Sequence, residues 1–197
     1  MRRTLSCLAT VVVGLASPAA AQAQEYPAPA GLGFGLNVGY VELSGQDFDL
    51  VGSGVGVEAT GRYTWESGFQ VLLGVQYSSH TVIDQGDLTV IAISADPRYV
   101  LRLFNSDRLA PFLGGRVSYV YQSLSDGGDD GSANGIVIGG EVGFIFELMP
   151  PVAIEASGYF GGLLLDGRVV EGPGSNSGNS SGTMGSARIG VLISLPN

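Results

Sequence analysis

The sequence predicts an all-β protein, an eight-stranded antiparallel up-and-down barrel that spans a membrane. Eight segments of about ten residues alternate apolar with small or polar side chains. That period of two marks strands whose two faces meet different surroundings. The intervening gaps alternate as well, at 10, 3, 8, 5, 12, 4 and 20 residues. One rim is therefore expected to carry tight turns and the other to carry loops. Mean hydropathy is +0.29, charged residues make up 14% and lysine is absent. A soluble domain of this size needs a more charged surface than that.

The elements follow in chain order. Arg2 and Arg3 precede an apolar stretch from Leu5 to Leu15, and Ala19-Ala20-Ala21 and Ala21-Gln22-Ala23 offer small-x-small cleavage sites. Residues 1–23 are thus expected to be a secretory signal, cleaved after Ala21 or Ala23 and removing Cys7 with it. About 174 residues remain, enough for one domain, with no cysteine for a disulfide or thiolate metal site. Residues 24–30 form a short lead-in, and residues 31–197 form the barrel. No run of 18 apolar residues occurs, so a helical span is excluded. The remaining seven arginines against 18 acidic side chains leave a charge of −11, which disfavours phosphate contacts and nucleic-acid binding.

Strands are expected at 31–43, 54–65, 69–79, 88–103, 109–122, 135–147, 152–163 and 184–195. The first sets Leu32, Phe34, Leu36, Val38 and Tyr40 against Gly33, Gly35, Asn37 and Gly39. The second sets Val55, Val57, Ala59, Tyr63 and Trp65 against Glu58, Thr60, Arg62 and Thr64. The third sets Phe69, Val71, Leu73, Val75 and Tyr77 against Gln70, Gly74, Gln76 and Ser78. In the fourth, Ile91, Ile93 and Tyr99 oppose Ser94, Asp96, Arg98 and Arg102, and in the fifth Leu113, Val117 and Tyr119 oppose Gly114, Arg116 and Ser118. The last three place Glu141, Glu147, Glu155, Ser157, Tyr159 and Arg188 on the polar face. Pro97 and Pro111 cannot donate to a ladder, so bulges or strand starts are expected there.

Three features turn the apolar face toward lipid. The polar face is rich in Gly, Ser and Thr, which suits a narrow interior. Its charges nearly balance, with Glu58, Glu141, Glu147 and Glu155 against Arg62, Arg98, Arg102, Arg116 and Arg188. An enclosed interior demands this, because a buried unpaired charge costs several kcal/mol. Aromatic residues also cluster at both ends of the apolar face: Tyr63, Trp65, Phe69, Tyr99, Phe144 and Phe146 at one, Tyr40, Tyr77, Tyr119, Tyr121 and Phe160 at the other. Two aromatic belts mark two membrane interfaces. Leu72, Val100, Phe112, Val120 and Leu192 fall at inward positions, and an eight-stranded barrel filled by side chains accommodates them.

The segment Arg188-Ile189-Gly190-Val191-Leu192-Ile193-Ser194-Leu195 resembles the closing strand of small Gram-negative outer-membrane barrels of the OmpA transmembrane-domain and OmpX type. Arg188, Gly190, Ile193 and Leu195 look like the signal read by the barrel-assembly machinery. Asp96-Pro97-Arg98-Tyr99 with Ala110-Pro111-Phe112-Leu113-Gly114-Gly115 is similar to the central hairpin of such domains. The family usually ends on an aromatic residue, whereas Pro196-Asn197 follow Leu195 here. The resemblance implies an outer-membrane monomer with residues 24–30, both termini and three short turns in the periplasm. It implies contacts with outer-membrane lipid, lipopolysaccharide and the assembly machinery. No peptidoglycan-binding domain is expected beyond the barrel.

Chemistry has few candidates. His80 stands beside Ser78 and Ser79, with Asp84 and Asp87 nearby, and could belong to a Ser-His-Asp hydrolase site. We expect instead an exposed loop histidine. The interior Glu/Arg set could gate a lumen, but a plugging salt-bridge network is expected. Asp126, Asp129 and Asp130 could bind Ca²⁺, yet lack regular EF-hand spacing, so a solvated loop is expected. Gly31–Gly35 and Gly52–Gly56 have no helix after them to cradle phosphate. Residues 164–183 are expected to form a mobile, low-complexity loop in which Asn179-Ser-Ser is incidental. No cofactor is expected. The expected role is structural or surface-interactive, with a lipid A-modifying enzyme or a narrow pore as alternatives.

Overall fold

A computed structural model describes residues 30–45, 48–83, 86–101, 108–126, 129–171 and 174–195. Arg102, Asp84, the expected signal and all but the last residue of the lead-in lie outside these residues. The side chains of 125–130 and 167–179 lie outside the description too. Eight strands, β1 (Gly31–Ser44), β2 (Gly54–Thr64), β3 (Phe69–Val82), β4 (Gly86–Val100), β5 (Leu109–Asp126), β6 (Asp129–Met149), β7 (Val152–Glu171) and β8 (Gly174–Ser194), close into one barrel. Every neighbouring pair is antiparallel, and β8 closes the ring on β1 through pairs such as Phe34↔Ile193 and Val38↔Ile189. Closure leaves no unpaired edge, the condition for a sheet to cross lipid.

The alternation resolves as the charge balance and aromatic belts predict. Leu36, Val57, Val75, Ile93, Val117, Val142, Leu164 and Ile189 face outward and are exposed. Their partners one residue along point inward and are buried. At the end carrying the chain termini, Tyr63 meets Trp65 edge-on at 4.6 Å, and Trp65 lies 5.3 Å from Phe69. Gly68, in the turn between β2 and β3, has φ of 85° and donates its N–H to the Trp65 carbonyl. An L side chain there would strain the turn.

The last four strands exceed the expected spans at the opposite, distal end. β7 pairs with β8 from Val152↔Ile193 through Glu171↔Gly174, so residues 164–183 are a hairpin and not a loop. β5 and β6 likewise pair out to Asp126↔Asp129. Residues 174–183 carry only Gly, Ser, Asn and Thr, so no hydrophobic period marks them as strand. Their register continues from the lipid-facing part of the same ladder, where burial on one face fixes the pairing. The alternation of gaps therefore reflects where lipid contact ends, not where the strands end.

Pro97 also departs from expectation. It sits mid-strand opposite Val71 with no change of register, while pairing to β5 lapses between Ala95↔Val117 and Arg98↔Gly114. Its missing donor falls in that lapse. Pro111, the third residue of β5, lies at a strand start as expected.

Three layers fill the interior. Along β4 the inward side chains run Leu88, Val90, Ala92, then Ser94, Asp96, Arg98, then Val100. β5 repeats the order in reverse, with Ala110 and Phe112, then Arg116 and Ser118, then Val120. The distal apolar cluster includes Val41, Phe48, Val90, Val120, Val137, Leu163 and Met184. The cluster toward the termini comprises Val100, Ala110, Phe112, Ile145, Ala153 and Leu192. Between them lies a charged layer.

Candidate functional site

The charged layer is built from one inward position on each of several strands. Glu58 of β2 accepts from Arg116 Nη2 at 2.7 Å and from Arg188 Nη1 of β8. Arg116 also grips Asp96 of β4 with both Nε and Nη2, at 2.8 and 2.5 Å. Arg188 continues to Glu141 of β6. The chain Asp96–Arg116–Glu58–Arg188–Glu141 thus ties β4, β5, β2, β8 and β6 across the lumen. A second pair, Arg98–Glu155 at 2.5 Å, joins β4 to β7. The two-pronged Arg116–Asp96 contact is the geometry that fixes a guanidinium most firmly.

Neutral groups complete the layer. Asn37 Nδ2 donates to Glu58 at 3.3 Å, Arg98 Nε donates to Gln70 Oε1 at 2.8 Å, and Gln70 Nε2 donates to Thr64 at 3.1 Å. Arg98 lies 4.1 Å over the Phe112 ring and Arg116 lies 5.4 Å over Tyr159. Such cation–π contacts add about 0.5–2 kcal/mol each where water is excluded.

Of the interior charges read from the sequence, Glu58, Arg62, Arg98, Arg116, Glu141, Glu155 and Arg188 are all buried in this layer. Arg62 enters without an ion pair among the described residues, donating Nη2 to Ser194 at 2.6 Å. Arg102 lies outside the described residues. Glu147 is half-buried near the rim and makes no described side-chain contact with the layer. Asp96, fully buried, completes a balance of four carboxylates and four guanidiniums among the described residues. Its inward position was legible from parity, but nothing in sequence order ties it to Arg116.

His80 is not exposed. It lies in β3, is 1% accessible and points into the barrel. Its Nε2 is 3.1 Å from Ser78 Oγ and its Nδ1 is 3.0 Å from the Gly52 carbonyl oxygen. Ser79 and Asp87 point outward and are exposed. The reason is the length of β3: the strand runs on to Val82, so even-numbered residues stay inward past Ser78. The segment between β1 and β2 folds down onto this end, with Phe48 buried, Val51 bridged to Val82 and Gly52 N–H donated to Thr81.

The closing strand is divided by face. Arg188 and Gly190 point inward, whereas Ile193 and Leu195 are exposed on the lipid side. A Cβ at position 190 would overlap Asn37 Oδ1 and the Leu36 carbonyl, so glycine lets β8 approach β1. Asp126 and Asp129 face each other at the end of the β5–β6 hairpin, and their side chains lie outside the description. Among the described residues no group of three or more His, Cys, Asp or Glu could hold a metal ion.

Comparison with known proteins agrees with this architecture. The model of the outer membrane protein beta-barrel domain family matches residues 7–158. The neisserial surface protein A structure superposes with a TM-score of 0.63 at 18% identity, covering 84% of this chain and 98% of that one. The outer membrane protein OprG of Pseudomonas aeruginosa gives 0.58 at 13% identity, covering 86% and 100%. The attachment invasion locus protein Ail of Yersinia pestis gives 0.51 at 12% identity, covering 83% and 98%. No curated protein matched the chain. The chain belongs to the outer membrane protein beta-barrel domain family, and its eight strands cross the outer membrane.

Proposed function

We propose that this barrel is a structural, surface-interacting component of the outer membrane, neither an enzyme nor a pore. The observation that carries this reading is the filled interior: a cross-linked charge layer sealed above and below by apolar side chains. Eight strands enclose little more than the volume of their own inward side chains. A conducting path would have to break ion pairs whose partners would then be stranded.

The residues nearest to catalytic geometry do not support hydrolysis. Ser78 and His80 are in hydrogen-bond reach, but both are shut inside the barrel, and the group facing His80 Nδ1 is a backbone carbonyl. A nucleophile must reach its substrate, and a carboxylate would stabilise the imidazolium formed during attack. The remaining working surfaces are the lipid-facing wall and the distal hairpins. Partners at these surfaces are outer-membrane lipid, lipopolysaccharide and molecules outside the cell. During biogenesis β8 engages the barrel-assembly machinery through Arg188, Gly190, Ile193 and Leu195. The termini and residues 24–30 then lie in the periplasm.

The test compares lipid A mass and envelope-stress response in cells with and without the gene. Unchanged lipid A with a raised stress response, or with lost surface attachment, is expected. A shift in lipid A mass that disappears in His80→Ala would overturn the reading.

A further inference from the structure

His80 is the chain's single histidine, and it is buried inside the barrel with a surface segment resting on it. Residues 48–53, between β1 and β2, meet the distal end of β3 through one antiparallel bridge, Val51 to Val82. Its two hydrogen bonds run from the Gly52 N–H to the Thr81 carbonyl and from the Ile83 N–H to the Leu50 carbonyl. His80 adds a side-chain contact, its Nδ1 lying 3.0 Å from the Gly52 carbonyl oxygen. The ring fits there because β2 offers it glycine: a Cβ at position 54 would lie 2.7 Å from Nδ1. Phe48 of the same segment fills the distal apolar cluster with Val41, Val82, Leu88 and Val90.

These contacts suit a neutral ring. A carbonyl oxygen can only accept, so Nδ1 carries the proton and Nε2 accepts from Ser78 Oγ at 3.1 Å. A second proton would reverse the Ser78 bond and place a charge where no described group compensates it. The inward neighbours of His80 are Ser78 and Val82 on β3, Leu88 and Val90 on β4, Gly54 and Gly56 on β2, and Phe48 above. None of them titrates. Asp49 and Asp87 are exposed, and Asp47 and Asp84 lie outside the described residues. Further along β2 and β4, Glu58 and Asp96 point inward but are held by Arg116 and Arg188. Burial lowers the pKa of the ring, and the bond to the Gly52 carbonyl offsets this in part.

We propose that His80 is an acid-sensitive latch: neutral, it pins residues 48–53 over the distal end of the barrel, and protonated, it releases them. The imidazolium gains water only when Gly52 and Phe48 move off, so acid shifts the equilibrium toward the released segment. The closed state is undisturbed above the ordinary histidine value of about 6.5 and weakens as pH falls below it. Release uncovers Val41, Leu88 and Val90 at the distal face and presents Phe48 to the outside. The charged layer beneath keeps its ion pairs, so acid opens an apolar surface and not a channel.

The test follows amide hydrogen exchange by NMR in the mature barrel held in lipid nanodiscs, with each rate compared with its random-coil value at the same pH. In the wild type, protection of the Gly52 and Ile83 amides is expected to fall about tenfold per pH unit below about pH 6.5. It is expected to stay flat in His80→Gln, whose neutral side chain can still reach both partners. Amides of the β1–β8 ladder are expected to hold their protection in both proteins. Ring nitrogen shifts of the wild type give a second reading that needs no variant: a neutral ring protonated at Nδ1 at about pH 7.5, titrating in step with the loss of protection. Wild-type protection unchanged down to about pH 5, an equal fall in His80→Gln, or a ring that titrates without loss of protection would overturn the proposal.

Discussion

In the middle of the barrel Glu58 receives two guanidiniums that arrive from β5 and β8, and every residue of that layer depends on another strand for its partner. Toward the distal end, Val90, Val120, Val137 and Leu163 come from four consecutive strands and meet only as an apolar cluster. The two layers answer the same demand, a filled and closed interior, by different physics. The charged layer is specific about partners: its energy lies in which groups meet, and removing one leaves the other buried and uncompensated. The apolar layer depends on volume and contact, and tolerates exchange as long as space stays filled.

Glu58→Ala is the sharpest way to break that contrast. It strands Arg116 and Arg188 together, and a loss of about 3–5 kcal/mol is expected in urea unfolding from lipid vesicles. Leu163→Ala in the apolar layer is expected to cost about 2–5 kcal/mol through the cavity it leaves. Unlike Glu58→Ala, its cost should be recovered largely by Leu163→Met, since volume is what matters there. On the outside of the wall, Leu36→Arg tests the lipid-facing assignment. Leu36 is 63% exposed between Leu32 and Tyr40, and a loss of about 2–4 kcal/mol is expected if it sits near the bilayer midplane. The smallest change is expected from His80→Ala, about 1–3 kcal/mol. It leaves Ser78 Oγ and the Gly52 carbonyl without their partner, read as faster hydrogen exchange in residues 48–54. Equal effects of Glu58→Ala and His80→Ala would remove the distinction between the layers.

The same contrast explains how much was legible in the sequence. The lipid-facing wall was largely so, because a period of two with aromatic ends is a one-dimensional pattern, although Leu164 fell in the segment read as a loop. Inward parity also puts Arg98, Arg116, Glu141 and Arg188 on the face that the structure buries. The pairing among them was not legible, because Glu58 reaches Arg188 across 130 positions of chain. The distal cluster was largely missed for a different reason. Val90, Ala92, Val137 and Leu163 are apolar residues on the inward face, where they read as breaks in an alternation instead of as a layer. The outward extension of β8 had no hydrophobic signal, since residues 174–183 carry only Gly, Ser, Asn and Thr and ladder pairing alone continues them. His80 was misplaced because the strand bearing it was read as ending at 79, three residues before its end at Val82.

The central claim is that the interior is closed. Single-channel recording of the wild-type barrel in planar bilayers tests it directly. The account predicts a flat baseline with, at most, brief and irregular openings. Long-lived conductance steps of uniform size, abolished when the lumen is further blocked by Gly74→Phe beside Glu58, would contradict it.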